Sequence, residues 1–242
     1  MWQPFRQNGA LIVKRIIGWL ILLSIWILPS SSWAWNDETH LAIAKAAGYQ
    51  KWYNATGADI TKVKACDIEN KNHYVNNPPG SHVTAKMVIE QAHRYNDPSD
   101  ETGHLYGAII QSIREYRHTT KEGKYTEYHL AFCAHYIGDL SMPLHNTLYN
   151  AYNRKNHVAT DGIIEKEVLN NLSMIKVYPI TIESETDLAR EIARIANLSR
   201  NLGYQLEKVG RMLSKKDAYK QISHSASLFK GILSWLKSER KE

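Results

Sequence analysis

A short run of the sequence carries five side chains of the types that bind divalent metal ions. It reads His135-x3-Asp139-x5-His145, followed by His157-x3-Asp161. Imidazole nitrogens and carboxylate oxygens are the usual ligands of zinc in proteins. Residues four apart on a helix lie about one turn apart on the same face, so each His/Asp pair can serve one pocket. One such pair is common on helix surfaces, whereas two pairs joined by a fifth candidate ligand predict a metal site.

The helix that carries the first pair has the clearest pattern. Over 124–140, large apolar and aromatic side chains recur at steps of four and form a stripe that would face the core: Tyr128, Phe132, Tyr136 and Leu140. Pro143 ends this helix, which lets His145 return toward the same pocket from a loop or a new turn.

The chain after residue 34 is predicted to be helical almost throughout. Helical patterns also cover 37–47, 82–96, 103–121, 157–173, 184–213 and 216–239. The stretch 54–80 is expected to be irregular, since it closes on a run of Asn, Pro and Gly at 76–80. No segment alternates strictly between apolar and polar residues, although 175–182 is a candidate extended segment. We therefore expect one compact, multi-helix, all-α domain.

The first 34 residues have the composition of a secretory signal. Basic residues precede an apolar stretch at 16–28, which ends in the small-residue motif Ser32-Trp33-Ala34. The stretch is shorter than the roughly 20 residues that span a bilayer, so cleavage after Ala34 is favoured over a retained anchor. We expect 1–34 to be a signal peptide and 35–242 a secreted or periplasmic domain with no transmembrane anchor after cleavage.

Charge and cysteine content decide little about function. The chain has 30 basic and 24 acidic residues, and loss of the three basic residues of 1–34 leaves 27 against 24. This small excess does not favour a polyanion over a phospholipid. Cys66 and Cys133 are the only cysteines, and an exported chain can join them in a disulfide or keep two buried thiols.

The residues after the predicted cleavage point extend the metal pattern. Residues 35–40 read Trp-Asn-Asp-Glu-Thr-His, so cleavage after Ala34 would free an amino-terminal Trp five residues before a His. Together with His135-x3-Asp139-x5-His145, this start resembles the zinc-dependent phospholipases C and the single-strand-specific zinc nucleases. The resemblance covers ligand positions from 35 to 161. It implies an all-helical fold of that type, three bound Zn²⁺ ions, and metal binding through the α-amino and carbonyl groups of the terminal Trp.

Carried over residue by residue, the resemblance implies three zinc sites that share ligands. One zinc would be held by His73, His135, Asp139 and an Asp upstream of His73, with Asp139 bridging to a close neighbour. The other two zinc ions would divide the remaining ligands: Trp35 and His40 for one, and His145, His157 and Asp161 for the other.

Two ligand positions, the Asp upstream of His73 and the last ligand, allow more than one interpretation. Asp59 precedes His73 by 14 residues in an Ala-Asp setting similar to that of the family, and we prefer it to Asp67, which precedes His73 by only six. Asp161 resembles the nucleases, because the phospholipases commonly have Glu at this position.

The implied reaction is hydrolysis of a phosphoester. Zinc lowers the pKa of a bound water from about 16 toward about 7, which supplies hydroxide at neutral pH. Asp59 would orient or deprotonate the attacking water in addition to binding metal. Glu38 lies at an offset where the phospholipases have a Glu near the active site and would face the substrate. An equally good interpretation of Glu38 is an acid that complements the dipole of the first helix.

Three functions are compatible with this ligand set. A phospholipase C acting on a lipid headgroup phosphodiester is favoured by Glu38 and by the 12-residue step from His145 to His157. A nuclease for single-stranded nucleic acid is favoured by the Trp35–His40 spacing and by Asp161, but it needs aromatic platforms and a cationic track. The third is a zinc-binding protein without turnover. We expect an exported, phospholipase C-like zinc phosphodiesterase that needs no obligate protein partner, with the nuclease as the alternative.

Overall fold

The computed structural model describes residues 35–65, 67–119 and 124–239. Over these ranges the chain is all-α, as the sequence predicts, and contains no strand. The described helices are α1 (Asp37–Ala46), α2 (Gly57–Ala65), α3 (Asp67–Asn70), α4 (Ala85–Gln91), α5 (Leu105–His118), α6 (Lys124–Ser141), α7 (Ala151–Asp161), α8 (Glu185–Val209) and α9 (Lys215–Glu239). Short 3₁₀ turns lie between them, and two of these, Lys71–His73 and Pro143–Asn146, carry candidate ligands.

Helix α6 is the element on which the candidate site is built. It contacts α1, α2, α5, α8 and α9, and every position over 130–141 is buried. The predicted stripe along this helix is buried at Phe132, Tyr136 and Leu140, but Tyr128 is 46% exposed and does not belong to the core.

Helix α8 illustrates how local sequence sets the long helices. The hydroxyl of Ser184 accepts a hydrogen bond from the backbone N–H of Asp187, which caps the first turn. Gly210 ends the helix with φ +65°, a left-handed conformation that glycine adopts without steric cost. Leu188, Ile192 and Ile195 recur at steps of three and four and are fully buried.

The segment 54–80, expected to be irregular, contains α2 and α3 instead. Helix α2 has no apolar stripe, because its buried residues are Ala58 and Asp59 while Ile60 and Val63 are exposed. Hydrophobic periodicity therefore does not reveal this helix.

The helix expected over 157–173 lies earlier, at Ala151–Asp161. Asn150 starts it, since its side chain accepts the backbone N–H of Asn153. Gly162 follows its last residue, and the segment after it continues as turns.

Two clusters of buried apolar side chains make the core. The larger one joins α5, α6 and α8, and the smaller one surrounds Trp35 and Ile43 near α1. Cys133 is a fully buried free thiol, as in the alternative of buried thiols, while Cys66 lies outside the described residues.

The predicted signal peptide, residues 1–34, also lies outside the described residues. In the part of the chain that the structure describes, no helix is both long and apolar enough to cross a membrane.

Candidate metal centre

Helix α6 brings His135 and Asp139 side by side on one buried face. The two residues are one turn apart and both are fully buried, and their Nε2 and Oδ2 atoms are 3.5 Å apart. Burial of an acid beside an imidazole is costly without a compensating charge or hydrogen bond. This pair is therefore the natural starting point of the site.

The first ligand group joins three elements around this pair. His73, at the end of the Lys71–His73 turn, places Nδ1 2.8 Å from Asp139 Oδ2. Asp59, on the buried face of α2, places Oδ1 3.6 Å from His135 Nε2 and 4.0 Å from His73 Nδ1. The donor atoms of Asp59, His73 and His135 all lie within 4.8 Å of one another, as metal binding requires.

A second group forms where α1 crosses α6. His40 stacks on His135 with 3.7 Å between ring centroids, and its Nε2 lies 3.4 Å from Asp139 Oδ1. This contact depends on Gly138, because a Cβ there would lie 2.4 Å from His40 Nδ1. Trp35 is fully buried just before α1, and the carbonyl of the next residue, Asn36, accepts a hydrogen bond from the backbone N–H of His40 at 3.4 Å.

A third group joins the Pro143–Asn146 turn to α7. His145 Nε2 and His157 Nε2 face each other at 3.1 Å. His157 Nε2 also lies 3.4 Å from Oδ2 of Asp161, one turn further along α7. The donor atoms of these three buried residues again lie within 4.8 Å of one another.

Asp139 contacts ligand atoms of the first two groups and the ring of His145 in the third. Its Oδ2 faces His73 and His135, while its Oδ1 lies 3.4 Å from His40 Nε2 and 3.7 Å from His145 Nδ1. A carboxylate with its two oxygens directed to different ligand groups has the geometry of a bridging ligand.

The histidine tautomers fit a bound cation. The Nδ1 atoms of His135, His145 and His157 each face an oxygen: the Ala55 carbonyl at 2.9 Å, the His73 carbonyl at 2.6 Å and Asn153 Oδ1 at 2.7 Å. Since these oxygens only accept, Nδ1 must carry the proton, which leaves a lone pair on each Nε2. Two Nε2 lone pairs facing each other at 3.1 Å cannot bond directly, but both can bind one metal ion.

Burial shifts the ligands toward their neutral forms. It lowers the pKa of His40 and of His157 to about 4 and holds the pKa of His145 well below its usual range. It raises the pKa of Asp139 and of Asp161 well above the usual range. A metal ion would compensate the buried carboxylates and use the neutral imidazoles as they stand.

Several ligand atoms also lack a hydrogen-bond partner among the described residues. They include both ring nitrogens of His40, Nε2 of His135, Oδ1 of Asp139 and both carboxylate oxygens of Asp161. Buried polar atoms are nearly always paired in folded proteins. Together with the mixed imidazole and carboxylate donors, which suit zinc and related transition metals, these atoms fit divalent metal ions.

The structure places the remaining predicted residues less decisively. Glu38 is exposed in the first turn of α1, where its backbone N–H donates to Glu165 Oε1 at 2.7 Å, so its catalytic role stays a prediction. Asp59 lies in the first ligand group, whereas the side chain of Asp67 lies outside the described residues.

Sequence reasoning missed two residues that orient ligands. Glu69 lies one turn before His73, with Oε1 3.3 Å from His73 Nε2, and it accepts a hydrogen bond from the hydroxyl of Tyr136 at 2.5 Å. Burial raises the pKa of Glu69 to about 7. Asn153 lies one turn before His157, and its Oδ1 accepts a hydrogen bond from the Nδ1–H of that ring. In both cases the spacing of four residues before a ligand is the signal that identifies them.

No model of a known protein family matches the chain, and a search of curated proteins finds no match.

Proposed function

We propose that this chain is an exported metal-dependent phosphodiesterase, most similar in action to the zinc-dependent phospholipases C. The observation that carries the proposal is the convergence of eight predicted ligands, separated by up to 121 positions, into three groups that meet at Asp139. Adjacent divalent metal sites that share a carboxylate suit hydrolysis of phosphate esters.

Each ligand group has a defined part in holding the metal. Asp59, His73 and His135 would hold one ion, and the pair His145–His157 with Asp161 would hold a second. His40 would hold a third together with the amino terminus of Trp35, if cleavage after Ala34 frees it. When bound, such ions supply Lewis acidity toward a phosphoryl oxygen and lower the pKa of a water nucleophile.

Lys62 supports a phosphate ester as the substrate. It follows Asp59 by three positions on α2, so the two side chains lie on neighbouring parts of one helix face. After burial, its positive charge is the next largest cause that lowers the pKa of His73 and of His157. A positive charge that acts on these ligands would attract a phosphate toward the metal ions.

Asp59 would orient the water nucleophile and accept its proton. Its side chain is 11% exposed, against 0–8% for the other ligand side chains, and its Oδ2 has no hydrogen-bond partner among the described residues. It is therefore the ligand best placed to meet an incoming substrate and still retain one oxygen for a proton.

The test compares two substrates on one zinc-loaded preparation that begins at Trp35. Phosphatidylcholine and single-stranded DNA are assayed side by side, with His135→Ala as the inactive variant and His129→Ala, on the same helix but outside the ligand groups, as its matched control. We expect release of diacylglycerol by the wild type and by His129→Ala, and none by His135→Ala.

The other outcomes discriminate the alternatives. Release of nucleotides without diacylglycerol would make the chain a nuclease, which Asp161 at the last ligand position would then explain. Tight zinc binding with no hydrolysis of either substrate would leave a metal-binding protein without turnover.

A further inference from the structure

Four large side chains beside the candidate metal centre are unusually exposed. Tyr53, Ile60, Val63 and Tyr128, here called the apolar mouth, are 59%, 60%, 75% and 46% exposed. Tyr53, Ile60 and Tyr128 line one cleft of about 470 Å³. Val63 follows Ile60 by three positions, so it extends the same face of α2.

The apolar mouth lies close to two ligands along the chain. Asp59, the most exposed of the ligand side chains, directly precedes Ile60, so α2 carries a buried ligand beside the exposed Ile60 and Val63. The floor of the cleft includes Ala131, which lies one turn before His135 on α6. A surface that contacts the apolar mouth therefore also lies next to the ligand groups.

The chemistry around the apolar mouth matches a phospholipid interface. Exposed apolar side chains grouped on one surface mark interaction sites, and Tyr is well suited to the boundary between water and lipid. Lys51 lines the cleft, where its Nζ lies 3.4 Å from Glu127 Oε1, and Lys64 is exposed directly after Val63 on α2. Lysines beside apolar side chains are attracted to anionic headgroups.

The same residues are a poor platform for nucleic acid. Ile60 and Val63 offer no aromatic face for base stacking. The ring of Tyr128 already packs on Phe132, with 4.0 Å between centroids, and its hydroxyl lies 2.6 Å from Thr61 Oγ1. Tyr53 is then the one exposed ring that this surface offers for stacking, whereas binding of single-stranded nucleic acid uses several rings for successive bases.

We propose that the apolar mouth docks onto phospholipid bilayers and so presents headgroup phosphodiesters to the metal centre. This inference rests on the proposed function for its purpose, but the docking itself is measured without catalysis. Ile60 and Val63 enter the headgroup layer, the two tyrosines lie at its boundary, and the lysines pair with anionic lipids.

The experiment measures co-sedimentation of the zinc-loaded protein with vesicles of phosphatidylcholine and phosphatidylglycerol. The variant Ile60→Ser/Val63→Ser removes aliphatic groups from the apolar mouth. Its matched control, Leu198→Ser/Val209→Ser, removes comparable groups that are 42% and 64% exposed on α8. We expect the first variant to bind vesicles about tenfold more weakly than the wild type, since membrane partitioning scales with buried apolar area. The control should bind like the wild type.

Hydrolysis separates this proposal from the proposed function. With both correct, the apolar-mouth variant loses cleavage of vesicle lipid but retains cleavage of a monomeric, short-chain phosphatidylcholine. Vesicle binding by the wild type without any lipid cleavage would support docking and overturn the phospholipase function. Equal vesicle binding by the wild type and the apolar-mouth variant would overturn docking. So would a variant that binds vesicles normally but no longer binds single-stranded DNA.

Discussion

At the scale of single residues, the tautomers of the histidines carry much of the information about the site. His135, His145 and His157 each donate Nδ1–H to an oxygen that can only accept, which fixes three Nε2 lone pairs toward the ligand groups. Rings held in this way need no rearrangement to bind a metal ion. The order already present in the side chains should therefore favour metal binding, because less conformational freedom is lost.

Asp139 is the ligand whose replacement should remove the most metal. Its two oxygens face different ligand groups, and asparagine keeps the size of the side chain but replaces one oxygen by an amide nitrogen that does not bind metal. We expect Asp139→Asn to lose more than one equivalent of zinc per chain. Asp161 belongs to one group, so we expect Asp161→Asn to lose only the zinc ion of that group. Elemental analysis after dialysis measures both.

Asp100 provides the control for this comparison. It is a buried acid that pairs with His104 and Arg94, outside the ligand groups, so Asp100→Asn should retain its metal. Equal losses from Asp139→Asn and Asp161→Asn would contradict a shared role for Asp139.

At the scale of elements, the crossing of α1 over α6 depends on one glycine. A methyl group at Gly138 would overlap the ring of His40, and overpacking of this kind costs about 1–3 kcal/mol. We expect Gly138→Ala to lower the free energy of unfolding by about this amount, and most of that loss should disappear in a His40→Ala background. Urea unfolding of the four metal-free proteins gives the coupling. Additive effects would show that Gly138 is needed for another reason.

Asn153 joins α7 to the turn that carries His145. Its Oδ1 accepts from His157, and its Nδ2 donates to the Leu144 carbonyl at 2.7 Å. Loss of residues that orient a ligand in this way typically weakens metal binding about 10–100-fold, and we expect this from Asn153→Ala in zinc titrations. Asn156 is the matched control, because within the described ranges its side chain bonds only the Tyr152 carbonyl of its own helix. A similar loss from Asn156→Ala would refute the orienting role.

The elements differ in how far the sequence predicts them, for physical reasons. The sequence predicts helix α8 because its apolar face, the capping residue Ser184 and the terminal Gly210 all indicate the same helix of 25 residues. Helix α2 is not, since its buried positions are Ala58 and the polar Asp59 while its apolar side chains point to solvent. This helix places Asp59 in the ligand group and exposes Ile60 and Val63, and it adds no apolar stripe to the core.

The ligand groups are more predictable than the residues that support them. Spacings of four along α6 and α7 identify four of the ligands directly, because helix geometry fixes which residues share a face. Gly138 and the Ala55 carbonyl are different, since their contacts with His40 and His135 join elements distant in sequence. No local pattern encodes such contacts before the helices are packed.

At the scale of the whole molecule, metal binding should determine much of the stability. In the metal-free protein, the lowered pKa of His40 means that the unfolded chain binds more protons below about pH 6.5, so stability falls as the pH drops toward 4. The raised pKa of Asp139 acts in the opposite direction, because the folded chain holds a proton that must be lost as the pH rises. A bound metal ion removes both costs.

Zinc should therefore raise the melting temperature most at neutral pH. Zinc at about 100 times its dissociation constant adds about 2.7 kcal/mol, which for a domain of this size is about 5–10 °C. We expect this difference between zinc-loaded and chelated protein at pH 7, and its loss near pH 5 as protons displace the metal. Calorimetry across this range measures it, and a shift that persists unchanged at pH 5 would contradict binding through these imidazoles.

The predicted start of the mature chain supplies the last test. Trp35 is fully buried and directly precedes Asn36, whose carbonyl accepts the backbone N–H of His40, so we expect a free α-amino group at this position to lie near a ligand group. A peptide nitrogen is neutral and planar and is a poor metal ligand, whereas a deprotonated amine can coordinate. We expect a protein that begins at Trp35 to bind one more zinc equivalent than a form extended by three residues, at equal helicity by circular dichroism. Proteolytic removal of the extension should restore that equivalent together with activity, while equal binding by both forms would remove the amino terminus from the site.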